Sequence, residues 1–502
     1  MCGPDETRII MNKLNRREFL RPMAASAAGL LAVGRAFPSA LPSEMGKNWI
    51  FSVRDYGAKA DKVSNDAPAI QAAIDACNRS GGGEVIVPPG NYFSGGIVLK
   101  SNVTLRLENG ATIWASGRIE DYGNRLVQDH AYLFEALGQE NIVVCGDGRF
   151  VGTGQGDLRR REGETGMPMP RDRFGIILLT GCRNVRLRDF RIRYSEAHTV
   201  MLRECDGVFV DGVSIFNNYF RTETDGIDPD SCTNVLISNC HIVAGDDAIC
   251  LKTDNGKPLE NVVVDNCILE SVATALKLGT SSSGDFRDIR VSNCVIRNST
   301  LGVGLFIKDG GTVEGVGFSN LFIETTRQDV SIAKWLRNDI FPIWIDLTKR
   351  NPNSPLSRVR GVSFDDIQIA SDNSVVVQGM PQREIESVTL RGINFQVNGA
   401  FDFSHRTESE GGESSYSDAN KTRFVRKPAY VALAYVRGLT VEGVEVNVPK
   451  DVFEQFPRSA VSVFSSQDGV VRNVGREPGE SPNAPPVVVL KDCQGVALEG
   501  EK

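Results

Sequence analysis

A branched apolar residue returns at Val185, Val208, Val235, Val262, Ile289 and Val316, at separations of 23, 27, 27, 27 and 27 residues. A fixed interval of that length is the mark of stacked coils. A second column runs beside the first: Asn239, Asn266, Asn293 and Asn320 are 27 residues apart, and Cys240, Cys267 and Cys294 directly follow the first three. Each period holds only short β-branched segments between glycine and asparagine turns, with no helical run, so each coil must bury its apolar side on the next. The expected fold is all-β: a single-stranded right-handed parallel β-helix. Its asparagines should hydrogen-bond up one turn, and its cysteines should form a small apolar ladder inside. The segments "VRGVSFDDIQI", "IESVTLRGINFQV" and "VRGLTVEGVEVNV" keep the pattern less regularly, so one unit should span roughly 50 to 500.

The start of a solenoid is an open edge that invites other chains to pair. Residues 66 to 79 offer a cover, because Ala69, Ile70, Ala73, Ile74 and Cys77 fall on one face of a helix with Asn65 and Asp66 as N-cap candidates and Gly81 to Gly83 as a stop. An N-terminal capping helix is therefore expected. Ahead of it, "NRREFL" and the short apolar run "MAASAAGLLAVG" read as a twin-arginine export signal within residues 1–40, which a start at Met11 would leave whole. That run is about twelve residues, short of the roughly 20 a membrane span needs. The expected location is periplasmic or extracellular, with no stable membrane insertion. Eleven cysteines without CxxC pairs suggest buried thiols, not a disulfide framework. Two stretches break the rhythm: 325–355, aromatic-containing and read as a wall of a binding groove, and 404–422, polar and read as a mobile loop. A net charge of −7 without a basic stripe gives no footprint for nucleic acid.

Carboxylates then draw the eye. "TETDGIDPDSC" contains Asp225, Asp228 and Asp230, and "GDDAICLK" brings Asp246 and Asp247 twenty-one residues after Asp225. Aspartate beside glycine is an ordinary turn pair. Two such clusters on neighbouring coils, about 4.8 Å apart, are something more. Crowded carboxylates raise one another's proton affinity, and glycoside hydrolysis needs one carboxyl that holds its proton and one that does not.

At this point the chain resembles glycoside hydrolase family 28, the polygalacturonase and rhamnogalacturonase family of the pectin-lyase-like superfamily. The resemblance rests on "DYGAKAD", "NDAPAIQAAIDAC", "GGGEVIVPPGNY", "TDGIDPDSC", "GDDAICLK" and "GVGLFIKDGG". It implies an inverting O-glycosyl hydrolase with Asp246 as general acid and Asp225 and Asp247 holding the attacking water. The family's Asn-Thr-Asp motif falls on Glu223, Thr224 and Asp225, and its Arg-Ile-Lys motif on Phe306, Ile307 and Lys308. Its Gly-His-Gly histidine is replaced by Thr274, and its arginine by Phe306. The loss removes a bidentate clamp on a sugar carboxylate. Lys252, Lys277 and Lys308 on successive coils offer a cationic shelf instead. Phe306 can stack on a sugar or fill the groove; Thr274, His198 and Asp228 complete the candidate substrate contacts.

The leading expectation is an exported, monomeric glycosidase acting on a pectin-like, galacturonate-containing polysaccharide or oligosaccharide, with neither cofactor nor metal. A rhamnogalacturonan-type or other acidic-glycan exo-hydrolase is a variant of it. A β-helix polysaccharide lyase or epimerase, which works with a basic side chain and often calcium, and a non-catalytic glycan-binding solenoid are the alternatives.

Overall fold

The computed structural model of the protein describes residues 49–123, 130–155, 173–326, 340–399, 429–478 and 484–500. The export signal and the 404–422 loop lie outside the described residues. From Asn48 onward the chain forms one compact unit. Its strands make a right-handed parallel β-helix, with a 13-stranded sheet running coil by coil from Ile97–Val98 to Val488–Lys491 and a 24-stranded sheet on its other sides.

The repeat seen in the sequence is the register of the fold. Val185 pairs with Val208, then Val235, Val262, Ile289 and Val316 in turn, and the column continues through Val362, Val388 and Leu439. None of these side chains is more than 2% exposed. Burying each contributes on the order of 1.5–3 kcal/mol, so the stack is held by many equal increments. At the turn, Asn239, Asn266, Asn293 and Asn320 adopt left-handed φ of 56°, 53°, 56° and 50°, which asparagine tolerates better than other side chains with a Cβ. Asn266 donates to Asn239 and Asn320 to Asn293, each at 2.7 Å, whereas Asn239 and Asn293 donate to Asp211 and Asp265 of the preceding coil. Aspartate thus shares the ladder that the sequence assigned to asparagine alone. Cys240, Cys267 and Cys294 are buried thiols, and Cys182, Cys205 and Cys232 form a second buried set that the 27-residue column did not reveal.

The helix runs from Ala67 to Arg79 and buries Ala69, Ile70, Ala73, Ile74 and Cys77 against strands Ile50–Ser52, Gly83–Val87, Ile97–Val98 and Val103–Leu107. Its cap comes from Asn65, whose Oδ1 accepts the Ala67 N–H at 3.0 Å. Asp66 instead accepts the N–H groups of Lys59 and Ala60, so its carboxylate ties down the preceding turn. No helix among the described residues is long and apolar enough to cross a membrane.

The 325–355 stretch rejoins the coils in its second half. Phe341–Leu347 is a regular strand of the 13-stranded sheet, paired with Leu301–Ile307. Its alternation explains this, because Ile343, Ile345 and Leu347 point inward and are at most 1% exposed. Residues 327–339 lie outside the described residues.

One irregularity positions the site. In the 24-stranded sheet Phe216 is opposite Val243, a 27-residue step, but in the 13-stranded sheet Ile227 is opposite Ile249, a step of only 22. Eleven positions separate Phe216 from Ile227, and six separate Val243 from Ile249. The longer connection carries Glu223 to Asp225 and the shorter one Asp246 and Asp247. This difference slides Asp225 alongside Asp247.

Candidate active site

Two glycines let these connections nest. A Cβ on Gly226 would lie 2.4 Å from the Ala248 carbonyl oxygen and 2.5 Å from Ile242 Cγ2, and one on Gly245 would lie 2.2 Å from the Arg221 carbonyl oxygen. "TDG" and "GDD" are therefore close-approach sites. Backbone bonds lace the coils together: the Thr199 N–H donates to the Asp225 carbonyl, Gly226 N–H to that of Asp247, and Ala248 N–H to that of Thr274. His198, Asp225, Asp247 and Thr274 follow one another on successive coils.

The side chains of this column are knitted to two lysines. Lys252 Nζ lies 3.0 Å from Asp225 Oδ2 and 3.0 Å from Asp228 Oδ1. Lys277 Nζ lies 2.6 Å from Asp247 Oδ2, while Asp247 Oδ1 accepts the Thr274 N–H at 3.0 Å. The expected cationic shelf is thus turned inward, onto the protein's own carboxylates. Asp246 stands apart from both ammonium groups; it is half-buried, and its Oδ2 accepts the Glu223 N–H at 2.8 Å.

These surroundings drive the carboxyl groups in opposite directions. Burial, then the negative charges of Asp225 and Asp247, push Asp246 well above the ordinary carboxylate range, which favours its protonated form. Burial acts on Asp225 in the same sense, but the ammonium of Lys252, backed by that of Lys277, outweighs it and holds this carboxyl below its usual range. Asp228 is pushed well up by burial, toward its protonated form, against the pull of Lys252. Burial opposes the charge on both lysines, and their aspartate partners more than restore it, so both stay protonated. His198 is pushed down to about 3 by burial and by Lys252, which leaves a neutral imidazole 3.7 Å from Asp225 Oδ2.

Two assignments change. Asp228 is fully enclosed, with 0% exposure, and so cannot touch a substrate; it holds Lys252 in place. Thr274 is 2% exposed and serves Asp247 through its backbone. Phe306 lies half-buried two coils beyond Asp247, in register with Gly279 and with Asp346. Lys308 is buried, its Nζ 5.8 Å from the centre of the Phe306 ring.

Sequence reasoning missed the groups that shape the Glu223–Asp225 connection. Buried Asn217 donates to Thr199 Oγ1 at 2.7 Å and to the Thr224 carbonyl at 3.0 Å. Arg221 pairs with Glu196, and Arg173 with Glu223. The signal for Asn217 and Arg221 was the run of polar and charged residues in "NNYFRTETDG", where other coils pass with short turns; Arg173 and Glu196 lie outside it.

His198, Asp225 and Asp228, and likewise Asp225, Asp247 and Cys250, bring donor atoms within 4.8 Å of one another. Lysine ammonium groups already fill the cationic role in both sets, and burial pushes the Cys250 thiol well up, away from the thiolate a metal prefers. The arrangement suits proton transfer between carboxyl groups of unlike affinity.

Comparison with known proteins bears on this arrangement. The sequence profile described as glycosyl hydrolases family 28 matches residues 77–408. An exo-poly-alpha-D-galacturonosidase of Dickeya chrysanthemi is 25% identical over 252 residues, covering 40% of this chain and 41% of the relative. A probable polygalacturonase of Vitis vinifera is 26% identical over 217 residues, covering 40% and 44%. These matches span less than half the length of either relative. Among solved structures, an exopolygalacturonase from Thermotoga maritima superposes with a TM-score of 0.59 at 21% identity, over 69% of this chain and 87% of that one, a likeness of fold. With its profile match across well over half of the sequence, this chain belongs to glycosyl hydrolase family 28.

Proposed function

We propose that the protein hydrolyses glycosidic bonds in a pectin-type, galacturonate-containing polysaccharide or its oligosaccharides, with inversion at the anomeric carbon. The observation that carries this reading is the gathering of three acids from adjacent coils, Asp225 and Asp247 each against a lysine ammonium and Asp246 beside them without one, which drives the proton affinities of Asp246 and Asp225 apart. Asp246 gives its proton to the glycosidic oxygen as the bond from the anomeric carbon to that oxygen breaks. Asp225 and Asp247 orient a water on the opposite face; as its oxygen bonds to the anomeric carbon, one of its protons passes to Asp225. Both carboxyls exchange protons with solvent before the next turnover. The family relatives named as polygalacturonases support a galacturonate-containing substrate. Export by the twin-arginine route and action as a monomer from chain ends complete the proposal.

A lyase or epimerase is disfavoured by a specific observation. Such chemistry takes a proton from carbon with a neutral base, and Lys252 and Lys277 are held protonated by their aspartates.

The test is product analysis on polygalacturonate and rhamnogalacturonan, with the anomer followed by NMR during the first minutes. Saturated products of inverted configuration are expected, and Asp246→Asn should lower kcat by about 10²–10⁴. Unsaturated products, or an Asp246→Asn variant as fast as the parent, would overturn the assignment.

A further inference from the structure

Phe306, which stands where the resemblance places an arginine, is seated on a glycine. A Cβ on Gly304 would lie 2.5 Å from Phe306 Cε2, 3.0 Å from Phe306 Cζ and 3.0 Å from Thr274 Cγ2. The phenyl ring therefore occupies the space that a side chain at Gly304 would fill. Trp344, in register with Gly304 on the next coil, meets the Phe306 ring edge-on at 5.6 Å between centroids, and Phe341 packs on Trp344 at 4.6 Å. These rings belong to an apolar cluster separate from the interior core, with Phe306 and Trp344 half-buried.

The charges nearby are engaged by the protein itself or enclosed: Lys308, 5.8 Å from the centre of the Phe306 ring, is buried and offers a single ammonium rather than a planar fork of donors. Lys252 holds Asp225 and Asp228, Lys277 holds Asp247, and Arg350 makes two 2.7 Å bonds to Asp309. The residue beside Phe306 on the following coil is an acid, Asp346. A sugar carboxylate laid on the Phe306 ring would lose water without gaining a fork of donors. The C–H face of an uncharged sugar loses little on the same surface.

Resting on the hydrolase reading above, we propose that Phe306 and Trp344, with Gly304 beneath them, form a subsite beginning two coils beyond Asp247 for an uncharged pyranose ring. Methyl-esterified galacturonosyl units and neutral sugars of a mixed backbone share that chemistry. Phe306 sets the preference by offering a ring where a guanidinium would select a carboxylate. Gly304 keeps the ring flat, since any side chain there would lift it.

Three oligosaccharides of equal length separate the outcomes: methyl-esterified oligogalacturonide, its saponified form, and a rhamnogalacturonan fragment. The parent protein's kcat/KM should be at least tenfold higher for one of the uncharged-ring substrates than for the saponified one, and which one identifies the source of the ring. Phe306→Arg should shift that ratio at least tenfold toward the saponified substrate. Phe306→Leu, which keeps the volume apolar, should raise KM for the preferred substrate more than it lowers kcat. Calorimetric binding to Asp246→Asn is read in parallel, so that the two proposals fail separately. Binding that favours the uncharged ring without cleavage by the parent keeps the subsite and removes the hydrolase reading. Cleavage or binding that favours the saponified form, ratios unmoved by both Phe306 variants, or no binding of any of the three overturns the subsite.

Discussion

Replacing Lys252 by methionine removes the ammonium shared by Asp225 and Asp228 while keeping most of the stem's volume. Lys252 is 13% exposed, Asp225 5% and Asp228 0%, so solvent does little to compensate. Burial drives Asp228 toward its protonated form, so Asp225 is the main charge stripped of its chief partner. Removing one member of a buried pair costs about 3–5 kcal/mol, and we expect urea unfolding at pH 7 to show a loss at the lower end, because Lys277 still acts on Asp225. The sign follows from the direction of the shift. A carboxyl whose folded affinity for protons is depressed contributes stability above its unfolded pKa, near 3.9, and that contribution disappears as pH falls through the lower folded value. Without Lys252, Asp225 takes up its proton at higher pH, so the acid limb of kcat/KM should move upward by about 2 pH units, each unit corresponding to about 1.36 kcal/mol. Asp228→Asn is the matched comparison: it puts a neutral amide in place of an acid driven toward its protonated form, should cost about 1 kcal/mol or less, and should leave the acid limb in place. An unmoved limb in Lys252→Met, with stability within about 1 kcal/mol of the parent, would refute the claim that this lysine keeps Asp225 ionised.

Three further outcomes test the scaffold around the acids. Asn266→Ala loses the 2.7 Å bond to Asn239 and places alanine at a φ of 53°; unfolding should show a cost of about 1–2 kcal/mol, with kcat unchanged. Gly226→Ala drives a methyl to within 2.4 Å of the Ala248 carbonyl, beneath the pair of acids; overpacking of this kind costs about 1–3 kcal/mol, and kcat should fall at least tenfold as Asp225 and Asp247 are displaced. His198, neutral in the folded state down to about pH 3, must be deprotonated as the chain folds whenever the solution lies below its unfolded pKa of about 6.5. Stability should therefore decline on going from pH 7 to pH 5, and His198→Gln should flatten that decline; equal slopes in parent and variant would show that His198 does not titrate with unfolding.

Much of the solenoid was legible because its stabilising contacts recur: the Val185 column, the asparagine turn and the cysteine ladder each repeat at the spacing that brings them into contact. The site was legible as residue types only. Asp225, Asp246 and Asp247 stood out through their crowding, yet their register could not be read from the period, because Ile227 and Ile249 pair across 22 residues while neighbouring strands keep 27. Nor does spacing reveal what a lysine faces. Lys252, Lys277 and Lys308 looked like a shelf for an anionic sugar, and two of them point instead at aspartates of the same protein. Asn217, Arg221, Glu196 and Arg173 were passed over because each acts on the backbone or on another charge, a role fixed by three-dimensional proximity alone. The physical reason is common to all of them. A regular coil satisfies its backbone with its neighbours and leaves side chains to face inward or outward by alternation, so it has no means of bringing several acids together. Convergence requires a coil that departs from the period, and the added length of 217–226 must then be tied down by buried polar groups such as Asn217 and Arg221. In a chain of this kind the break in the repeat is itself the sequence signal for the site, and the polar residues inside the break are those that hold it in shape.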